Sequence, residues 1–167
     1  MSNVFTFSLE GWEETETGLL VAESEQWVLI QSMPMDYLID GYKLIKKSEI
    51  YSQDQGAEEE RIAKVLSLRG IEPKMPEGFE FGNAQSMLTW IEAKYDLFQF
   101  QDLEEDTLQI GRMYDVVDGE MLTIDYIDAD GQIESPYDYE FVLRQIRVIT
   151  FGTDYLDGVN LLRQNQD

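Results

Sequence analysis

The segment 125–134 carries the residue types and spacing best suited to binding a metal ion. Asp128, Asp130 and Gly131 stand at the third, fifth and sixth positions of a calcium-loop pattern, and hard cations prefer carboxylate oxygens. Four acids make up this candidate metal site: Asp125, Asp128, Asp130 and Glu134. Tyrosines occupy the first and last positions of the pattern, where acids are expected. A hairpin turn explains the same Asp and Gly residues, so both interpretations stay open.

Two aromatic segments offer a second kind of chemistry, the binding of a partner surface. Trp12 follows a glycine and precedes Glu13 and Glu14, so we expect an exposed ring in an acidic rim that anchors a partner. Tyr137 and Tyr139 are two residues apart and are predicted to share one face of a strand. These five residues form the candidate binding surface, although packing of the rings in a core accounts for the same pattern.

The chain lacks the residues on which most catalytic machinery depends. Its 167 residues include no histidine and no cysteine, which excludes cysteine nucleophiles, Ser–His pairs, His or Cys zinc sites and disulfides. It also has no glycine-rich phosphate loop. Neighbouring carboxylates such as Asp154 and Asp157 are common in a chain with 34 acids, and a solvated surface explains them. We therefore predict a protein that is not an enzyme and carries no cofactor.

The charge balance favours a protein partner over a nucleic acid. Thirty-four acidic residues face twelve basic ones, for a net charge of −22, whereas phosphate binding depends on clustered Lys and Arg. An acidic surface steers a basic partner protein towards it, while improved solubility is the plainer explanation. The first residues lack the parts of a signal peptide, and no stretch is long and apolar enough for a membrane helix. We expect a cytoplasmic protein that does not bind membranes.

Hydrophobic periodicity predicts mainly β structure with two short helices, an α+β class. A period of two in Val4–Leu9, with both phenylalanines on one face, indicates the first strand, and Asp-Gly pairs mark hairpin turns. A helical period runs through Ala57–Arg69 and again through Ala84–Tyr95, where Asn83 is suited to cap the helix.

The segment 71–83 is the best linker in the chain because it concentrates proline and glycine. We predict a first β unit with a trailing helix at 1–70, and a helix with a second β unit at 84–167. The two β units match at an offset of 93 residues, which takes Gly18 to Gly111 and Leu29 to Leu122. This internal repeat predicts a duplicated small β unit, and two unrelated β meanders are the alternative.

Each copy resembles an Sm-like domain, a small β-barrel of the SH3 type. The residues that carry the resemblance are Gly18–Val21, Trp27–Ile30 and Asp40–Tyr42 in the first copy, with Ile110–Met113, Met121–Ile124 and Ile146–Ile149 in the second. The resemblance implies two tandem small barrels, with the helix Ala84–Tyr95 in the place of the family's N-terminal helix.

The chain departs from the RNA-binding pattern of that family. Sm-like RNA binders place an Asn near an Asp in one loop and a Gly after an Arg or Lys in another. Here Val148 follows Arg147, and no Asn stands near Asp36 or Asp40. The resemblance therefore implies the fold without the uridine site, and we expect no RNA binding.

The sequence as a whole predicts a non-enzymatic, acidic protein–protein interaction module in a bacterial-type cytoplasm that meets a basic protein. An inhibitor or immunity-type protein that mimics nucleic acid is one version of this hypothesis. Two alternatives stay open, namely a metal-dependent hydrolase using Asp125, Asp128 and Asp130, and a divergent Sm-like RNA binder. Unpaired strand edges further predict a homo-oligomer.

Overall fold

The computed structural model describes residues 2–166. The chain divides into two compact units, one running to Phe79 and the other starting at Glu80, and this division falls inside the segment 71–83. Within the described residues there are eleven β-strands and three α-helices, so the protein is mainly β and belongs to the α+β class. The prediction of two helices was wrong, because a third helix follows the last strand.

The first unit is an antiparallel sheet followed by one helix. Its strands, in chain order, are β1 (Val4–Leu9), β2 (Thr15–Glu23), β3 (Trp27–Ser32), β4 (Tyr42–Lys46) and β5 (Ile50–Asp54). They pair side by side in the order β5-β1-β2-β3-β4, and a 3₁₀ turn at Lys47–Glu49 precedes β5. The helix α1 (Ala57–Leu68) comes after β5, and Gly70, with a φ of 72°, follows its end.

The second unit begins with a helix, and a second helix closes it. Its elements, in chain order, are α2 (Ala84–Tyr95), β6 (Phe98–Gln101), β7 (Gln109–Val117), β8 (Met121–Ile127), β9 (Ile133–Glu134), β10 (Glu140–Val142), β11 (Val148–Phe151) and α3 (Asp154–Gln164). The strands pair in the order β11-β6-β7-β8-β10, with β9 added to β8. A 3₁₀ turn at Leu143–Gln145 precedes β11.

The two units share one strand order. If the strands of each unit are numbered from its own start, and the short β9 is set aside, both sheets read 5-1-2-3-4 with a 3₁₀ turn before the fifth strand. The first hairpins also agree residue by residue, because Phe5 pairs with Gly18 and Phe98 pairs with Gly111. These two pairs lie 93 residues apart in the chain.

The second strands share an irregularity at the same place. The register between β2 and β3 shifts between Leu20 and Ala22, and the register between β7 and β8 shifts between Met113 and Asp115. A bulge bends its strand and increases the local twist, so both sheets curve at equivalent positions. Past the following turn the offset grows by one residue, which makes Ile124, and not Thr123, the counterpart of Ile30. Leu122 is therefore the structural counterpart of Val28, one residue away from the Leu29 match in the sequence.

The helix after the fifth strand covers the same part of the sheet in each unit. In the first unit Ile62 of α1 packs with Val4 and Met33. In the second unit Val159 of α3 packs with Leu97 and Ile127. All six side chains are at least 95% buried, and burial of such apolar area is the main source of stability in small domains.

Local capping explains where the two helices of the second unit begin. The side chain of Asn83 accepts a hydrogen bond from the Ser86 main-chain N–H, as predicted, and α2 spans Ala84–Tyr95. Thr153 caps α3 in the same way by accepting from the Leu156 N–H at 3.1 Å. No helix within the described residues is long and apolar enough to cross a membrane.

Candidate functional site

A cleft in the second unit brings aromatic rings and carboxylates together. It has a volume of about 280 Å³. We call it the acidic tyrosine cleft and define it by its seven lining residues: Asp102, Glu104, Thr107, Gln109, Tyr137, Tyr139 and Phe141. The loop between β6 and β7 provides one side, and the segment that leads into β10 provides the other.

The aromatic side of the cleft is built on the core. Phe141 in β10 is buried, and its ring meets the buried Phe100 ring edge-on at a centroid distance of 5.0 Å. The Tyr139 ring lies 4.8 Å from the Phe141 ring, and 60% of Tyr139 is exposed. On the other flank, the Tyr137 ring stacks on Tyr126 at 4.7 Å. The buried Phe141 ring therefore holds the exposed Tyr139 ring in place. An aromatic side chain supported in this way is a rigid contact surface.

The main chain fixes Tyr137 against the sheet. Its N–H donates a hydrogen bond of 2.8 Å to the Ile124 carbonyl in β8. Tyr137 and Tyr139 both lie in an irregular segment before β10 and not in a strand, so that part of the prediction was wrong. The alternation by two nevertheless continues through Phe141 and places all three rings on the cleft.

The acidic side is a loop held in place by a buried amide. Gln101, which is 8% exposed, donates from its side chain to the Glu105 carbonyl at 2.6 Å. The Thr107 N–H donates to the Glu104 carbonyl, which closes the turn. Asp102 is half-buried and Glu104 is exposed, and neither carboxylate forms an ion pair with a cation anywhere in residues 2–166. Their negative charge is therefore available to a ligand.

Gln109 adds a buried polar group to the lining. It is the first residue of β7, is 8% exposed and pairs through its main chain with Phe100. Its side-chain amide forms no hydrogen bond within the described part of the chain. Because Gln109 lines the cleft, its side-chain amide is suited to exchange hydrogen bonds with a ligand there.

The first unit has an ion pair at the equivalent position. Glu16 lies 93 residues before Gln109, the offset that relates the first hairpins. Lys43 stands two residues before Ile45, as Tyr139 stands two residues before Phe141, and Ile45 and Phe141 pair with the equivalent residues Val28 and Leu122. The Lys43 Nζ lies 2.6 Å from the Glu16 Oε2, and both side chains are 18% exposed. In the first unit, therefore, the chain itself provides a cation at this place.

The other predicted binding residues lie in the first unit. Trp12 is half-buried in the turn between β1 and β2, where its N–H donates to the Leu9 carbonyl at 3.2 Å. Glu13 and Glu14 follow it and are exposed. None of the three lines the acidic tyrosine cleft.

Of the predicted metal ligands, Asp128 has a structural role, whereas Asp125 Oδ1 is buried without a hydrogen-bond partner among the described residues. Asp128 Oδ1 accepts hydrogen bonds of 2.9 Å from the N–H groups of Asp130 and Gln132, which shapes the turn between β8 and β9. Asp125 stands in β8 opposite Arg112, and Glu134 lies in β9. Within residues 2–166 no group of three or more His, Cys, Asp or Glu residues is arranged to hold a metal ion. The hairpin interpretation accounts for Asp128, whose carboxylate shapes the turn.

The aromatic flank also perturbs one acid–base group. Burial raises the pKa of the Tyr126 phenol, and the neighbouring Tyr137, Asp128 and Glu134 raise it further. Negative charge near a phenol disfavours the phenolate, so Tyr126 stays protonated as a neutral stacking partner.

Sequence reasoning missed Asp102, Glu104, Gln109 and Phe141 as parts of a site. The signal for the carboxylates is a run of acids at 104–106 between two strands, in the loop equivalent to the one that holds Trp12. Nothing in the local pattern marks Gln109, since its role depends on a segment about 30 residues later in the chain.

Comparison with known proteins yields no relative from which a function can be transferred: no protein family model, no curated protein and no solved structure matches this chain.

Proposed function

We propose that this protein is a non-enzymatic interaction module that binds a basic protein in the cytoplasm through the acidic tyrosine cleft. The observation that carries the proposal is the cleft itself, where an exposed Tyr139 ring stands beside carboxylates that have no internal cation. Aromatic anchors surrounded by polar groups dominate the energetics of protein interfaces.

The charge of the whole chain supports the same partner. A net charge of −22 attracts a basic protein over distances of about a Debye length and raises the association rate. The same charge opposes contact with nucleic acid, whose binding depends on Lys and Arg at the phosphates. A basic protein is thus the macromolecule that fits both the cleft and the field around it.

For the scaffold we propose a tandem duplication of a small five-stranded barrel of the SH3 type, similar to Sm-like domains. The shared 5-1-2-3-4 strand order, the 3₁₀ turn before each fifth strand and the matching bulges support this proposal. An Arg147–Val148 pair stands where RNA-binding members carry a Gly after the basic residue, which favours protein binding over RNA binding.

Capture from a lysate of the source organism tests the proposed function. Three baits are compared: the wild type; a cleft variant with Asp102→Asn, Glu104→Gln and Tyr139→Ser; and a control with Glu13→Gln and Glu14→Gln. The control removes the same two charges from the other predicted binding surface. We expect the wild type and the control to retain one stoichiometric basic protein that the cleft variant loses. Equal retention by all three baits, or retention of no protein, would contradict the proposal.

A further inference from the structure

Resting on the proposed function, we infer that the acidic tyrosine cleft receives a single arginine side chain of the partner protein. The size of the cleft is the first argument. Its volume of about 280 Å³ lies at or below the lower limit for pockets that enclose a drug-sized molecule. A side chain inserted from a protein surface fits this space and leaves the rest of the partner on the rim.

The chemistry of the lining selects a planar cation. An arginine guanidinium stacks on aromatic faces, and the exposed Tyr139 ring provides one such face. Its several N–H groups can donate to the carboxylates Asp102 and Glu104 that line the cleft. The same donors also satisfy the side-chain oxygen of the buried Gln109, which has no partner of its own within the described residues. A lysine ammonium is more strongly hydrated and has neither a planar face nor a fork of donors, so it uses fewer of these groups.

Comparison of the two units is the second argument. In the first unit Lys43 pairs with Glu16 and occupies this place with an internal cation. In the second unit the corresponding positions in the chain hold Tyr139 and Gln109, neither of which is a cation. Where the first unit has an ammonium and a carboxylate, the second unit has a phenol ring and a side-chain amide. A planar cation from another molecule can stack on the ring and donate a hydrogen bond to the amide oxygen.

Blocked tripeptides test the inference directly. The probes are acetyl-Gly-Arg-Gly-amide, its lysine counterpart and its citrulline counterpart, the last being neutral and nearly isosteric with arginine. Each is titrated into ¹⁵N-labelled full-length protein and followed by the shifts of the main-chain amides of the cleft. We expect the arginine peptide to shift the amides of Asp102, Glu104, Gln109 and Tyr139. Its affinity should exceed that of lysine by a few-fold and that of citrulline by about tenfold.

Two variants make the test specific to the cleft. Gln109→Glu combined with Tyr139→Lys installs the ion pair of the first unit, and it should abolish the arginine-dependent shifts while the protein stays folded. Tyr139→Phe keeps the ring and should keep the binding. The unfolding midpoint in urea of each variant shows that it is folded.

The possible outcomes separate the inference from the proposed function. Equal shifts by the arginine and lysine peptides, or by the arginine and citrulline peptides, overturn the inference. So does binding that survives in the ion-pair variant. If no peptide shifts the cleft amides while capture still depends on the cleft, the arginine inference is wrong and the proposed function stands. If capture fails as well, both are wrong.

Discussion

Gly18 and Gly111 allow the second and third strands of each unit to approach each other closely. A Cβ atom on Gly18 would lie 2.5 Å from Ile30 Cδ1 and 2.8 Å from the Gln31 carbonyl oxygen. A Cβ atom on Gly111 would collide with the Asp125 carbonyl oxygen and crowd Ile124 at 3.1 Å. The two glycines face equivalent residues, so the close approach of the second and third strands is a shared property of both units.

We therefore expect Gly111→Ala to lower the free energy of unfolding by about 1–3 kcal/mol, the usual cost of overpacking. The added methyl group meets a main-chain oxygen that cannot rotate away. Gly158→Ala is the matched control, because no atom lies within 4 Å of its added methyl group and the residue is inside α3. That change should stabilise the protein by up to about 1 kcal/mol. Urea unfolding measures both, and equal midpoints for wild type and Gly111→Ala would contradict the packing described here.

Ionisation of Tyr126, on the flank of the cleft, makes the stability of the folded protein depend on pH. Its pKa is raised above the ordinary value of 10.0, mainly by burial. The contribution to stability is therefore fully present below about pH 10 and is lost as the pH rises from there through the pKa of the folded protein, since the unfolded chain releases the proton first. Tyr126→Phe removes this titration. Urea unfolding at about pH 9 and about pH 11 should show a smaller loss of stability in the variant than in the wild type. An identical loss in both proteins would show that the phenol does not contribute.

Among the elements, α3 is the clearest difference between expectation and structure. Its apolar stripe is short, with Leu156 and Val159 as the buried apolar residues, and Gly158 interrupts it. The helix is specified instead by the cap at Thr153, by acids in the first turn and by packing onto the sheet. By contrast, the sequence alone predicted both ends of α2, because Asn83 and a regular apolar stripe agree there.

Removing the cap tests whether α3 depends on it. Thr153→Ala deletes the hydroxyl that accepts from the Leu156 N–H, and it should cost about 1 kcal/mol. Thr153→Ser keeps the hydroxyl and should cost much less. Urea unfolding followed by circular dichroism measures both variants. Equal stability of Thr153→Ala and Thr153→Ser would mean that the hydrogen bond does not hold this end of the helix.

The acidic tyrosine cleft could be predicted only in part. The period of two in the tyrosines pointed to Tyr137 and Tyr139, since a shared face is a local property of the chain. Asp102 and Gln109 lie about 30 residues earlier in the chain than these tyrosines. Only the pairing order of the strands brings them close to Tyr137 and Tyr139. The candidate calcium loop stays a prediction, and within it Asp128 shapes a turn, a role that Asp and Gly at short spacing commonly serve.

At the scale of the whole molecule, the net negative charge and the acidic tyrosine cleft both favour the binding of a basic protein. The acids are spread over both units, so they attract a basic partner from many directions, while the cleft brings an aromatic ring together with carboxylates that form no ion pair among the described residues. Long-range attraction sets the association rate, and burial of anchor groups sets the dissociation rate. These two contributions respond differently to salt and to mutation.

The most direct measurement is the dissociation constant between this protein and the basic protein that it captures, determined by calorimetry at about 50 mM and about 200 mM salt. For the wild type we expect the constant to rise by about tenfold with salt, because screening weakens the attraction between opposite charges. At the lower salt, the cleft variant with Asp102→Asn, Glu104→Gln and Tyr139→Ser should bind at least about tenfold more weakly than the Glu13→Gln, Glu14→Gln control. A cleft variant that binds as tightly as the control would contradict the account, whatever the salt dependence.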